Sequence, residues 1–127
     1  MNIMDSSAWL EVIGQGPQAR TFLQVIEAGD LIVPSITIFE VCKRLAMQGA
    51  ADRVPMVESH MRRFPVADLT ADRASAACAV SVQHKLPIAD SIIYAAALEF
   101  NATVWTLDED FEGLVQVRYL AKTRMDG

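Results

Sequence analysis

Residues 86–111 read LPIADSIIYAAALEFNATVWTLDEDF. Pro87 suits the opening of a helix, where its missing N–H costs nothing, and the apolar run behind it predicts a helix to about Phe100. The small residues Ala95, Ala96 and Ala97 let that helix pack closely on a sheet. Thr103–Thr106 follows as the clearest strand in the chain, and it runs directly into the acidic turn that holds Asp108 and Asp110. Asp90 lies in the first turn of the helix, where the helix dipole favours an anion. It is a charge at the mouth of an otherwise apolar element.

The same alternation runs upstream. Asn2–Met4 is a short apolar start that ends at Asp5, and a helix follows through Ala8, Trp9, Val12 and Ile13 until Gly14 and Gly16. Pro17 is expected to open a second helix, which carries Ala19, Phe22, Leu23 and Ile26 at i, i+3, i+4 and i+7 and stops at Gly29. Leu31–Val33 reads as a second strand closed by Pro34, with Ser35 as the N-cap of a long helix reaching Gln48 and Gly49. A further amphipathic helix is expected from Asp52 to Arg63, and a weak third strand over Pro65–Ala67. Thr70 caps an Ala-rich helix to about His84. A last strand around Val115–Tyr119 precedes a polar tail. Strands alternating with helices imply parallel pairing through crossovers. The expected class is therefore α/β, a single domain over residues 1–127 with a central parallel sheet of four to five short strands and helices on both faces. In such sheets chemistry gathers at the carboxyl ends of the strands.

At 127 residues the chain is one domain. Eleven Lys and Arg against sixteen Asp and Glu leave a net charge of −5, which excludes gripping nucleic acid by a basic stripe alone. A polyanionic substrate must be reached through something else. The hydrophobic content is 52%, and counted with glycine it exceeds the roughly 45–50% of ordinary soluble domains, as extra buried surface in an oligomer would explain. The longest uncharged stretch, Ala74–His84, is far short of the about 20 residues a membrane span needs. The start MNIMD has neither a basic nor an apolar leader segment, so a cytoplasmic location is expected. Cys42 and Cys78 sit in apolar helical patterns without CxxC or zinc spacing and are expected in the core. His60 and His84 form no ligand pair and are expected at surface or boundary positions.

The acidic residues after the strands admit two readings each. Asp5 is an ordinary helix N-cap or a site carboxylate. Asp108 and Asp110 are turn residues of an acidic loop or ligands. Glu40 is the only charge between Ile32 and Cys42, where an ionised carboxylate is costly unless compensated. Its compensation is either a salt bridge to Lys43 or Arg44 one turn on or a metal ion. What separates the readings is convergence, since Asp5, Glu40, Asp90 and Asp108 all follow strands or begin crossover helices at one edge. Four carboxylates brought together raise one another's pKa values unless cations neutralise them. An all-oxygen set selects Mg²⁺ or Mn²⁺, and paired ions of that kind cleave phosphodiesters.

At MDSSAWLE, at the isolated Glu40, at LPIADSIIYAAALEFNATVWTLDEDF and at the short closing strand the sequence resembles the PIN-domain ribonucleases, specifically the VapC-type toxins of toxin–antitoxin pairs. The resemblance spans essentially the whole chain and implies a PIN-like three-layer fold. It carries the family's acidic quartet onto Asp5, Glu40, Asp90 and Asp108, with Asp110 at an often acidic position beside the metal. Thr106 and Ser6 match supporting hydroxyl and small polar positions. It implies Mg²⁺-dependent endonucleolytic cleavage of RNA, a homodimer formed through helices, and a small antitoxin partner docked beside the site. Lys43, Arg44, Arg62 and Arg63 are the candidate RNA phosphate contacts, although a solvated helix face accounts for them equally. Phe111 is expected to pack under the last loop.

The reading that follows is a metal-dependent, single-strand-preferring endoribonuclease acting as a toxin. Three rivals stand beside it. A receiver-like signalling domain also gathers Asp at strand ends, but it needs a paired acid after the first strand and a late Lys. A phosphatase needs DxD where the chain has Asp5-Ser6-Ser7. A housekeeping RNA-processing PIN enzyme differs only in lacking an antitoxin.

Overall fold

Successive residues of the two central strands face opposite sides, and that alternation builds two cores. The computed structural model describes residues 1–123; residues 124–127, the end of the expected polar tail, lie outside the described residues. In β1 (Asn2–Met4) Ile3 enters one core and Met4 the other, and in β4 (Thr103–Thr106) Val104 and Trp105 divide in the same way. Ile32 and its neighbours Leu31 and Val33 repeat the division. The sheet is therefore the middle layer of three, as a period of two requires when both faces are covered.

Five short strands compose that layer, all paired in parallel. β1 pairs with β4, β4 with β5 (Val117–Tyr119), and β2 (Val33–Pro34) with β3 (Val66–Ala67). A parallel bridge between Asn2 and Leu31 joins the two sets, with Asn2 N–H donating to Asp30 O at 2.8 Å and Ile32 N–H to Asn2 O at 2.9 Å. The order is β3-β2-β1-β4-β5. The chain builds outward from β1 on one side, then crosses to build outward from β4 on the other. The crevice between the carboxyl ends of β1 and β4 is thus the topological switch point, where open α/β sheets bind ligands.

One core holds α5 (Ala71–His84) and α6 (Ile88–Phe100) against the sheet, with Tyr94 and Phe111 buried at its centre. The other is built by α1 (Ser6–Ile13), α2 (Ala19–Ala28), α3 (Ser35–Met47) and α4 (Val54–Met61). Tyr94 donates its hydroxyl to Val115 O at 3.0 Å, while Gln116 donates to Ala97 O and Ala102 O at 3.2 and 2.8 Å. These bonds fasten the end of α6 to the approach of β5. Phe111 packs under the last loop as expected.

Four expectations need correction. Pro17 lies in a turn and α2 begins only at Ala19. Ser35 is the first residue of α3 rather than its cap, and its hydroxyl accepts from Leu69 N–H at 3.1 Å, tying the start of α3 to the segment after β3. The last strand starts at Val117, because Gln116 adopts a left-handed φ of 61°. Neither cysteine is a core residue: Cys42 is half-buried and Cys78 exposed. The Ala-rich α5 buries only Ala77 and Val80, so its faces differ too little in hydropathy to reveal which one Cys78 occupies. The histidines are placed as expected, His60 exposed and stacked near Trp9, His84 half-buried edge-on to Tyr94.

Thr70 does cap α5, its hydroxyl accepting from Arg73 N–H at 3.2 Å. Thr70→Ala should cost about 1 kcal/mol of stability, read as a lower urea midpoint with an unchanged slope.

Candidate active site

Asp5 closes β1 and caps α1, as its N-cap reading expects. Its Oδ1 accepts from Ala8 N–H at 3.0 Å and from the Ser7 hydroxyl at 2.6 Å, and its Oδ2 accepts from the Thr106 hydroxyl at 2.6 Å. The residue is 2% exposed. Burial pushes its carboxyl up to about 6; the bonds from Ser7, Thr106 and Ala8 oppose the shift, and the charge of Asp108 adds to it.

The same two hydroxyls hold the end of β4. Asp108 N–H donates to Thr106 Oγ1 at 2.8 Å and Leu107 N–H donates to Ser7 Oγ at 3.0 Å. Asp108 then turns the chain, accepting from Asp110 N–H at 2.9 Å at the start of the 3₁₀ turn Glu109–Phe111. The turn brings Asp108 and Asp110 to Asp90 in the first turn of α6. Each of the three offers a carboxylate oxygen within 4.8 Å of the others. Asp90 is pushed up to about 7, first by burial, then by the charges of Asp108, Asp5, Asp110 and Glu40.

Glu40 projects from α3 into the same cleft. Burial raises its pKa, as does the charge of Asp108, while the Ser6 hydroxyl and Arg44 pull it back. Its Oε1 is buried without a hydrogen-bond partner. Among the described residues it forms no ion pair with Lys43 or Arg44, so the alternative of a salt bridge is not realised and Arg44 acts on it only through its charge. Its surroundings are also less uniformly buried than the sequence suggests, for Phe39 is 59% exposed.

The cleft encloses about 880 Å³ and is lined by Glu40, Asp90, Asp108 and Asp110 together with Ser6 and Arg44. Asp5 braces its floor from beneath, and Thr106 is wholly buried beside it. All the expected acidic residues thus gather at one sheet edge, with Asp110 nearer to Asp90 and Asp108 than the sequence argument placed it. Of the four expected phosphate contacts only Arg44 lines the cleft. Lys43 lies over the Phe39 ring at 5.7 Å, Arg62 pairs with Glu58 at 3.0 Å, and Arg63 is exposed elsewhere. Sequence reasoning missed Ser7, the hydroxyl that bonds Asp5, having chosen its neighbour Ser6. It also missed Lys122 and Tyr119, which line the cleft from the segment in and after β5.

The PIN domain family pattern matches residues 3–115 of the sequence. The chain belongs to the PIN-domain family. That membership, in a family of nucleases, sets aside the receiver and phosphatase readings. Comparison with curated protein sequences gives no match. Among solved structures, a toxin–antitoxin complex from Klebsiella pneumoniae superposes with a TM-score of 0.74 at 24% identity, covering 93% of this chain and 96% of that one. A VapC toxin of Mycobacterium tuberculosis, described as cleaving the sarcin–ricin loop, gives 0.72 at 17% identity over 93% and 99%. DNA-bound VapBC from Salmonella typhimurium gives 0.71 at 18% identity over 95% and 98%. The PIN chain described here therefore shares the fold of VapC proteins over nearly its whole length.

The donor set of this PIN domain fits a hard divalent cation: it is all oxygen, three carboxylates converge, and Glu40 adds a buried oxygen with no partner. Without metal the cluster works against folding. Asp5 and Asp90 have folded-state pKa values above the ordinary 3.8. Their contribution to stability is full below that value and is lost as pH rises through about 6 to 7. In EDTA the melting temperature should therefore fall between pH 5 and pH 8. Asp90→Asn should flatten that fall and raise the value at pH 8, by about 4 °C for each kcal/mol of repulsion relieved. If Asp90 serves only as a helix-start charge, the Asn variant is instead destabilised at both pH values by up to about 1 kcal/mol.

Proposed function

We propose that this PIN domain is a Mg²⁺-dependent endoribonuclease, the toxin of a toxin–antitoxin pair, with a preference for single-stranded RNA. One observation carries the reading: Asp90, Asp108 and Asp110 meet Glu40 in one cleft at the switch point of the sheet. Asp90, Asp108, Asp110 and Glu40 would hold Mg²⁺, or Mn²⁺ in its place. A cation there neutralises phosphate charge and lowers the pKa of water enough to make it a nucleophile at neutral pH.

The remaining work belongs to the chain. Asp5 keeps a negative charge under the cleft, oriented from three directions, so the carboxylates above it need not reorganise during the reaction. Ser7 and Thr106 fix the backbone from which Asp108 projects. Asp90, poised near 7, retains a proton part of the time at neutral pH and releases it when a cation binds. RNA as the substrate class is supported by the structural relative described as cleaving the sarcin–ricin loop.

The toxin role is supported by likeness to chains from toxin–antitoxin complexes and by an apolar groove on α3. Ile38, Phe39, Cys42, Ala46 and Val54 line it between α3 and α4. A small antitoxin with an apolar segment fits that surface. Val82 and Ile88, 77% and 81% exposed on α5 and α6, suit the homodimer contact. No helix among the described residues is long and apolar enough to cross a membrane.

Purified protein should cleave single-stranded RNA in Mg²⁺ or Mn²⁺, stop in EDTA and ignore zinc-selective chelators, and Asp90→Asn should lose at least about 100-fold in rate. Mapping RNA 5′ ends in cells expressing the two forms reads activity and target together. Undiminished cleavage in EDTA would defeat the mechanism. At Mg²⁺ concentrations below saturation, cleavage should rise from pH 6 to pH 8, because proton and cation compete for Asp90; a flat profile under those conditions would exclude that competition.

A further inference from the structure

Carboxylates crowd the cleft. Glu11 and Glu109 add their charges to those of Glu40, Asp90, Asp108 and Asp110, and among the described residues only Arg44 and Lys122 line it with positive charge. A polyanion entering such a cleft meets repulsion that bound cations offset at the centre and that side chains must offset at the rim. Arg44 comes from α3. Lys122 comes from the far end of the chain, and its placement has a specific cause.

Leu120 N–H donates to Thr106 O at 2.9 Å, extending the pairing of β5 with β4 by one residue. Beyond it no strand holds the segment. Gln18, in the turn before α2, holds it instead: its side-chain amide donates to Ala121 O and to Thr123 Oγ1, the latter at 3.0 Å. The two bonds bracket Lys122 in sequence. Gln18 is fixed in turn, because its backbone N–H donates to Glu11 Oε2 at 2.9 Å. Gly16 lies against that carboxylate, where a Cβ would fall 2.2 Å from Glu11 Oε1. The turn between α1 and α2 is thus shaped around Glu11 and Gln18, and its outward product is a segment held at the Ala121 carbonyl and the Thr123 hydroxyl.

We propose that Gln18 is a positioning residue that presents Lys122 at the cleft rim, where Lys122 and Arg44 hold RNA phosphates on either side of the one cleaved. The inference rests on the nuclease reading and adds to it the residues that grip the substrate. A lysine is a point charge on a flexible stem. Holding the Ala121 backbone on one side of it and the Thr123 side chain on the other limits the volume its ammonium samples, so less ordering is left for binding. Lys43 and Arg62, engaged with Phe39 and Glu58, play no part in this grip.

The test compares wild type with Lys122→Met, Lys122→Arg, Gln18→Ala, the double variant Gln18→Ala/Lys122→Met, and Arg20→Met as an exposed charge outside the cleft. Each is assayed on a fluorescently labelled single-stranded RNA in Mg²⁺ over a range of salt. Lys122→Met should raise KM about tenfold, the effect of one charged contact, with a smaller change in kcat. It should also lower the salt slope of log KM by about 0.7, one phosphate contact on a single strand. Lys122→Arg should restore both. Gln18→Ala should raise KM in the same direction, and the double variant should be no worse than Lys122→Met, since the two act through one contact. Arg20→Met should match wild type. An active wild type whose KM and salt slope are unmoved by Lys122→Met overturns this inference and leaves the nuclease reading intact. Fully additive losses in the double variant overturn the positioning role of Gln18. A wild type that neither binds nor cleaves RNA in Mg²⁺ overturns the nuclease reading and this inference with it.

Discussion

A single hydroxyl ties the site to the sheet. Thr106 Oγ1 donates to Asp5 Oδ2 at 2.6 Å and accepts from the Asp108 amide at 2.8 Å, so the ends of β1 and β4 are locked at the point where their carboxylates emerge. The parallel register Met4↔Trp105 sets this contact, for it places Asp5 beside Thr106. A slip of one residue would bring Trp105 or Leu107 to Asp5 and turn the buried face of β4 to the other side. Ser7 closes the same circuit from α1 by donating to Asp5 and accepting from Leu107 N–H. Sheet register and site geometry are therefore set by the same bonds.

The cluster works against the fold that holds it. Asp5 is buried, with three hydrogen bonds opposing the rise of its pKa; Asp90 is raised first by burial and then by four neighbouring charges, and Glu40 leaves an oxygen without a partner. Two well-filled cores and the closely packed Ala95–Ala97 face of α6 supply the opposing stability.

Much of this was legible in the sequence wherever one element carries its own signal. Thr103–Thr106 and Asn2–Met4 form strands within the expected bounds, and Thr70 caps α5 because the cap interaction is local. Gathering of the acidic residues at one edge followed from the parallel topology alone. What escaped depends on direction or on distance. Ser6 and Ser7 are equivalent in sequence, and only the first turn of α1 decides that Ser7 bonds Asp5 while Ser6 bonds Glu40. Gln18 meets the segment after β5 across more than a hundred residues, and no periodicity records such a contact. Lys122 carries no local signal for the same reason, whereas the solvated helix face that is the alternative reading of Arg62 is what the structure shows, paired with Glu58.

The structural and the proposed functional readings of the acidic residues, which compete when the sequence is read alone, are compatible in the same side chains. Asp5 is an N-cap through Oδ1, and the bond that aims its Oδ2 comes from the neighbouring strand, so capping leaves the proposed site role open to it. Asp108 is a turn residue and a cleft carboxylate because its turn, by accepting from Asp110 N–H, carries a second carboxylate toward Asp90. In both cases the local bond fixes the rotamer that the site requires, so an alanine at either position would remove a structural anchor and a charge together. The isosteric Asp→Asn change separates them, since it keeps an acceptor oxygen for the cap or turn while removing the charge. Glu40 is the exception: it caps nothing and forms no ion pair among the described residues, the Ser6 hydroxyl and the charge of Arg44 offset only part of its desolvation, and its Oε1 has no hydrogen-bond partner. A cation in the cleft, as proposed above, would supply that partner.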